Sequence, residues 1–521
     1  MTRSLTIKIL TAALAAAVAL VAAGSPSYAQ DPAFVEIDDG RLHGTVGDGT
    51  RAFLGVPYAA PPTGDLRWAA TAPAEPWDGV REAVEPGAAC AQPRENPDAP
   101  VYGSEDCLFL NVHAPIATTG PAPVMVFFHG GGLNSGEGAA HDPTRIVERS
   151  GVVVVTVNYR LGALGFLAHP DLTDPYAGNF GLADQQAALR WVGDNIDAFG
   201  GDPGNVTLWG QSAGARTACA QLAAPGAKGL FHKAIVQSAP CGNATVTLAE
   251  AERRGVEHAA AVGCADGDVQ ECLREADLAD LVALGLDGPA VVRRVAELPW
   301  SPVAGTEALP LQPLTAMRLG LAAEVPLVHG GTSDEMRSFV FRDFDGAGAP
   351  VTAEGYAGAV ADLFGGKASE AIVDRYPAED FESPSIALAT LLTDYGGMIG
   401  ICSQLPALDA ARRGAPVYAY EFAEPSPQVI GDFPMGARHS VDLDYLFEFD
   451  NGYNEPVPPT GDQKVLADTM IDHWTAFAAT GDPGGDWSPY RHGEGLSLAV
   501  GAVEMVDVAE GHHCGFWKRY K

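Results

Sequence analysis

Asn205-Val206-Thr207-Leu208-Trp209-Gly210-Gln211-Ser212-Ala213-Gly214 is the stretch that decides the fold. Val206 to Trp209 is a short apolar run of the kind a buried strand needs, and Ala213 to Ala224 reads as a helix. Between them lies G-x-S-x-G, a serine between two glycines at a strand-to-helix turn. Such a turn is too tight for side chains at the flanking positions, hence glycine. It lifts the Ser212 hydroxyl into the open and aims the N–H of Ala213, at the helix start, toward any group bound there. With 61 glycines in 521 residues the pentapeptide alone is a moderate signal, so the rest of the chain has to supply a base, an acid and a further anion-stabilising loop.

Outward from this point, Leu108 to His113, Val124 to Phe128, Val152 to Val157 and Ala234 to Gln237 are further apolar runs. They alternate with helical stretches such as Ala183 to Phe199, the pattern of a parallel sheet covered on both faces. Val325 to His329 and Val417 to Phe422 read as two more core strands, and Lys464 to Thr480 as a late helix. Phe34 to Pro57 alternates polar and apolar residues around glycine turns and reads as an antiparallel edge. Residues 61–100 form a proline-rich covering loop that packs through Trp68 and Trp77, and residues 245–320 read as a helical insertion above the sheet. The fold class expected is α/β, with a mostly parallel central sheet.

The strand Val124 to Phe128 runs into His129-Gly130-Gly131-Gly132, an HGGG loop. Loops of this type provide backbone N–H donors for an oxyanion, each worth about 3–4 kcal/mol of barrier in acyl transfer. Gly131 and Gly132, with Ala213, are the expected donors. A dinucleotide fingerprint is excluded, because Ser135 stands where its third glycine would be. In chain order an acid and then a histidine should follow the serine. Asp334 and Glu335 follow the strand Val325 to His329, and the residue pattern alone does not choose between them. His439 is the first histidine after the strand Val417 to Phe422, whereas His473 lies inside a helix and His492, His512 and His513 lie beyond further elements. The chemistry these residues imply is acyl transfer. A serine too weak to attack by itself is deprotonated by His439, whose ring is oriented by the carboxylate. This chemistry requires no metal or organic cofactor. Pocket walls are expected from loops around Leu133, residues 280–300 and Phe339 to Phe341.

Composition bounds the partners. With 66 acidic against 32 basic residues the formal charge is −34, which excludes a nucleic-acid binder and fits a solvated acidic surface. Residues 1–29 carry Arg3 and Lys8, an apolar stretch from Ile9 to Ala23 and Ser27-Tyr28-Ala29 before Gln30, the pattern of a cleaved Sec-type signal peptide. The apolar stretch is short for a membrane span. The expected product is one domain, residues 30–521, exported, free of the membrane after signal removal, and a monomer or weak oligomer. Eight cysteines suit an oxidising compartment.

The chain resembles the type-B carboxylesterases, which include the cholinesterases and para-nitrobenzyl esterases. The resemblance rests on Ser104-Glu105-Asp106-Cys107-Leu108-Phe109-Leu110-Asn111, on Gly178-Asn179-Phe180-Gly181-Leu182 with Asp184-Gln185, and on the serine segment from Asn205 to Ala215. It implies the α/β-hydrolase fold and hydrolysis of small carboxylic esters, with Ser212, Glu335 and His439 as catalytic triad. It also implies a structural Glu105–Arg160 ion pair and the disulfides Cys90–Cys107, Cys264–Cys272 and Cys402–Cys514, and leaves open whether Cys219 and Cys241 pair. Three departures stand out. Gln211 replaces the family's usual glutamate, the loop from Cys90 to Cys107 lacks a tryptophan for choline, and Met336 stands where glycine is usual. The first two argue against a choline ester. Same-fold alternatives are a transacylase, lactonase or amidase, and a non-catalytic binding protein. Of two glycosylation sequons, Asn205 leads into a core strand, and Asn243 is expected to be the more exposed.

Overall fold

The structure is a computed structural model that describes residues 31–94, 101–285, 289, 291–449 and 458–520. The expected signal peptide lies outside these residues, as do 286–288 and 290 of the expected pocket wall. One sheet of eleven strands organises the molecule. In chain order its strands are β1 (Thr45–Val46), β2 (Thr50–Pro57), β3 (Phe109–Pro115), β4 (Ala122–Phe128), β5 (Val153–Val157), β6 (Gly201–Gln211), β7 (Lys233–Gln237), β8 (Leu327–Thr332), β9 (Val417–Phe422), β10 (Glu494–Ala499) and β11 (Ala502–Asp507). Across the sheet they run β11-β10-β9-β8-β7-β6-β4-β5-β3-β2-β1.

From β5 across to β10 every pairing is parallel. Of the N-terminal range read as an antiparallel edge, β1 and β2 do form one, joined to the sheet through antiparallel β3, while Phe34–Ile37 and Gly40–His43 pair with Val80–Glu82 in a separate three-stranded sheet. The opposite edge is antiparallel too, which the sequence reading did not anticipate. β10 turns into β11 through Val500-Gly501, with Ala499 paired to Ala502 and Gly501 at φ +74°. β11 is largely exposed, so it lacks the apolar run that marks the core strands.

Residue alternation explains the layers. Along β4, Val124, Val126 and Phe128 pack on one face with Leu189 and Val192 of helix α1 (Phe180–Asn195) and Ala215, Ala218 and Leu222 of helix α2 (Ala213–Ala223). Met125 and Phe127 point the other way, into Leu466, Met470, Ile471, Trp474 and Phe477 of a late helix, Asp462–Thr480. A third apolar cluster joins Met336 and Val340 to Leu388, Leu391 and Leu392 of the helix Pro384–Tyr395 and to Trp517 near the chain end. The helical layer is therefore built from residues after β8 as well as from the expected 245–320 region. The covering loop is anchored by Trp68, which is buried and donates to the Ala163 carbonyl at 2.8 Å.

All eight cysteines are paired: Cys90–Cys107, Cys264–Cys272, Cys402–Cys514 and also Cys219–Cys241. Four disulfides fit an oxidising, exported compartment. Among the described residues no helix is long and apolar enough to cross a membrane.

The implied Glu105–Arg160 pair does not form. Arg67 of the covering loop reaches Glu105 (Nε to Oε1, 2.7 Å), while Arg160 spends its planar fork on buried Asp184, with two contacts of 2.8 Å. A further Arg160 donor, Nη1, goes to the Ala69 carbonyl at 3.0 Å, so the guanidinium is held away from Glu105 by partners of its own. Nor is Asn243 the freer sequon. Its amide donates to the carbonyls of Gly396 and Met398, and it is half-buried like Asn205.

His512, near the chain end, bridges two elements. Its Nδ1 lies 2.6 Å from Asp394 and its Nε2 3.0 Å from Glu421 of β9. Burial alone would push its pKa down, but hydrogen bonds to the two carboxylates and their charge hold it up at about 10. A raised folded-state pKa contributes stability that is complete below pH 6.5 and is lost as pH rises through 10. Urea unfolding of wild type should therefore show an unfolding free energy that falls across that window by an amount on the order of a few kcal/mol. Glu421→Gln should flatten the fall.

Candidate active site

Strand β6 ends at Gln211, and α2 begins at Ala213. Ser212 between them holds φ 55° and ψ −121°, a left-handed conformation that side-chain-bearing residues rarely adopt. Two glycines make this possible. A Cβ on Gly214 would drive into the Phe128 carbonyl at the end of β4, and one on Gly210 would meet the backbone of Gly214.

The three residues expected to act together lie in a line. Ser212 Oγ is 2.8 Å from His439 Nε2, and His439 Nδ1 is 2.6 Å from Glu335 Oε2. Glu335 is fully buried, and its other oxygen accepts the Thr332 N–H at 2.9 Å. Met336 sits at φ −89°, which any residue adopts, and its N–H donates to Thr393 Oγ1. The missing glycine therefore costs the loop nothing. Phe339 packs its ring 5.3 Å from the His439 ring, whereas Leu133 and Val340, also expected in the pocket wall, are fully buried.

The HGGG loop curls over the elbow. Gly131 and Gly132 have φ +104° and +68°. The Gly131 carbonyl accepts the N–H groups of Asn134 and Ser135, which turns its own peptide plane the other way. Among the described residues the N–H groups of Gly131 and Gly132 have no protein acceptor. His129 steadies the loop: its ring stacks on Tyr159, and its carbonyl accepts the Tyr159 hydroxyl at 2.6 Å. Burial pushes the His129 pKa down to about 4, so it is neutral, and its Nδ1–H donates to the Gly130 carbonyl at 2.8 Å. From the far side Gln92, two residues past Cys90, makes a reciprocal pair with the Gly136 backbone.

The sequence reading missed the residues that hold the histidine loop. Asp334, the alternative acid, accepts the Ala437 N–H at 2.9 Å and pairs with Arg337 at 2.9 Å. Gln211 Nε2 donates to Ser440 Oγ at 2.8 Å, tying the residue before the serine to the one after the histidine. Asp442 is fully buried, accepts from Gln237 and Tyr420, and has its pKa raised to about 6 by burial and then by the charge of Glu335. Asp442 and Asp444 stand close after His439 in the sequence, and two acids in an otherwise apolar run are the signal that marks them.

This arrangement accompanies a family match. The sequence model of the carboxylesterase family covers residues 31–517, and the chain belongs to that family. It is a carboxylic ester hydrolase with the α/β-hydrolase fold. It is similar to the para-nitrobenzyl esterase of Bacillus subtilis (strain 168), with 34% identity over 87% of this chain and 91% of that protein. The phenmedipham hydrolase of Pseudarthrobacter oxydans is 34% identical over 89% and 94%, and the fumonisin B1 esterase of Sphingopyxis macrogoltabida is 33% identical over 93% and 90%. Among solved structures, a PNB esterase superposes with a TM-score of 0.78 at 30% identity, covering 93% of this chain and 99% of that one.

Asp334→Ala should destabilise the protein by about 1–3 kcal/mol, since it strands a buried N–H and an arginine. It should also slow labelling of Ser212 by a fluorophosphonate. Urea titration and labelling kinetics read the two effects separately.

Proposed function

We propose that the protein is an exported serine carboxylesterase that hydrolyses small carboxylic esters through an acyl-enzyme on Ser212. The single observation that carries this reading is the unbroken line from Ser212 Oγ to His439 to the buried Glu335. A serine, an imidazole and a carboxylate in that order form a nucleophile, a base and an orienting acid.

In the proposed cycle His439 Nε2 takes the proton of Ser212 as Oγ attacks the ester carbonyl carbon. The carbonyl electron pair moves onto oxygen and is met by the N–H groups of Gly131, Gly132 and Ala213. These are aimed beforehand, so no reorganisation is needed as the charge develops. The C–O bond to the alcohol then breaks, and the imidazolium gives its proton to the departing alkoxide. Water repeats the sequence against the acyl-enzyme, with His439 as base, and releases the acid. Glu335 keeps the Nδ1–H tautomer and stabilises the imidazolium. Every step uses protein groups and water. Residues 1–29 would direct export and be removed before Gln30, leaving one domain, residues 30–521. Hydrolysis is favoured over acyl transfer as the default outcome because its relatives carry the names esterase and hydrolase.

Two measurements test the proposal. Folded Ser212→Ala should lose at least about 10⁴-fold in kcat on 4-nitrophenyl butyrate, and Glu335→Gln a comparable amount. Activity in Ser212→Ala close to that of wild type would overturn the assignment. Mass spectrometry of exported protein should give an N-terminus at Gln30.

A further inference from the structure

The HGGG loop ends in a tight turn. The Asn134 N–H returns to the Gly131 carbonyl at 3.0 Å, with Gly132 at φ +68° and Leu133 at φ +66° between them. Two successive positive φ values are the mark of a type I′ turn, whose left-handed positions favour glycine and asparagine. Here those positions hold Gly132 and the buried Leu133, and Asn134 stands outside them without a positive φ. The backbone therefore has no need of an asparagine at this point.

The other polar side chains of the loop are spent on it. His129 Nδ1–H donates to the Gly130 carbonyl, and Ser135 Oγ donates to the Gly131 carbonyl at 3.2 Å. Asn134 is half-buried, and among the described residues neither end of its carboxamide has a partner. Its Oδ1 is buried without a donor. Its Nδ2 lies 3.6 Å from the point that a Cβ on Gly132 would occupy. A desolvated amide oxygen with no donor costs folding free energy. A bound group that hydrogen-bonds the amide returns that cost, and nothing in the free protein does.

The turn sits on the nucleophile. A Cβ on Gly130 would meet Ser212 Cβ at 3.1 Å and Gln211 Oε1 at 2.8 Å. Gly131 and Gly132 are exposed, and the Gly132 N–H is one of the donors assigned to the oxyanion. Covalent geometry keeps Asn134 Nδ2 within about 6 Å of the Gly132 nitrogen. An oxygen bonded to that nitrogen stands about 3 Å from it. A substituent a few bonds from the scissile carbonyl is thus within reach of the Asn134 amide. Both side chains flanking the loop, Asn134 and Gln211, are amides without charge, so the group they suit is neutral. A hydroxyl can accept from Nδ2 or donate to Oδ1, and an alkyl group can do neither.

We propose that Asn134 is a specificity-determining residue whose carboxamide hydrogen-bonds a hydroxyl on the substrate, so that esters hydroxylated a few bonds from the scissile carbonyl are preferred over their alkyl counterparts. The proposal rests on the esterase reading of Ser212.

The test uses two pairs of esters in which a methyl group replaces the hydroxyl. 4-Nitrophenyl 3-hydroxybutanoate against 4-nitrophenyl 3-methylbutanoate places the hydroxyl on the acyl side. 2-Hydroxyethyl butanoate against propyl butanoate places it on the alcohol side. Each kcat/KM is divided by the rate of the same ester with hydroxide, which removes intrinsic reactivity. In one pair the hydroxylated ester should then lead by about tenfold or more in wild type. Asn134→Leu, or Asn134→Ala if the leucine variant does not fold, should bring that ratio to about one or below. A binding measurement needs no turnover. In Ser212→Ala the hydroxylated member of that pair should raise the melting temperature more than its methyl partner, and adding the Asn134 substitution should abolish the difference. Wild-type ratios at or below one in both pairs would overturn the proposal. So would ratios that the Asn134 variants leave unchanged, or an equal loss on all four esters, or melting temperatures that do not separate the partners. Failure of wild type to cleave any of the four would instead sink the esterase reading, and the melting temperatures would still decide whether Asn134 recognises a hydroxyl.

Discussion

The structure turns on how closely the start of α2 approaches the end of β4. Gly214 lies against the Phe128 carbonyl, where any side chain would collide. That contact sets the angle at which the helix leaves the sheet and holds Ser212 in its left-handed backbone. A strained residue persists only when its surroundings over-determine it. Here they do: Ser212 N–H is bonded to Gln237 of β7, its carbonyl accepts the Arg216 N–H of α2, and the HGGG loop closes over it. The serine is rigid before any ligand arrives.

The histidine has no such scaffold of its own. It sits on a loop between β9 and the late helix and is held from several sides. Asp334 reaches in from the end of β8, Gln211 bonds Ser440 from the elbow, and Asp442 anchors the following turn to Gln237. Gln237 in turn accepts the indole N–H groups of Trp209 and Trp474. The polar groups under the site thus form a connected network inside an aromatic core, where low dielectric strengthens each bond and penalises any missing partner. The raised pKa of Asp442 reflects that setting: a carboxylate buried near Glu335 is costly to ionise.

Much of this was legible in the residues. Strong local signals were decisive where geometry itself restricts the residue type. The elbow glycines, the HGGG loop and the fully apolar strands are of this kind, and Val417 to Phe422 is a strand with the bounds that were read. What was not legible depends on contacts between distant segments. Nothing local tells that Arg67 takes Glu105 or that Cys219 meets Cys241. β11 escaped because an exposed edge strand needs no apolar face. Between Asp334 and Glu335, adjacent acids in one loop, the pattern alone could not choose, because only the fold decides which of them turns inward.

The Cys402–Cys514 bond spans 112 positions and closes them into a covalent ring. β9, the histidine loop, the late helix and both strands of the far sheet edge all lie within that ring. A single peptide-bond break anywhere inside it yields two fragments that remain tethered. The molecule can thus be cut in the half that carries His439 and still keep its pieces at the high local concentration that favours their reassembly.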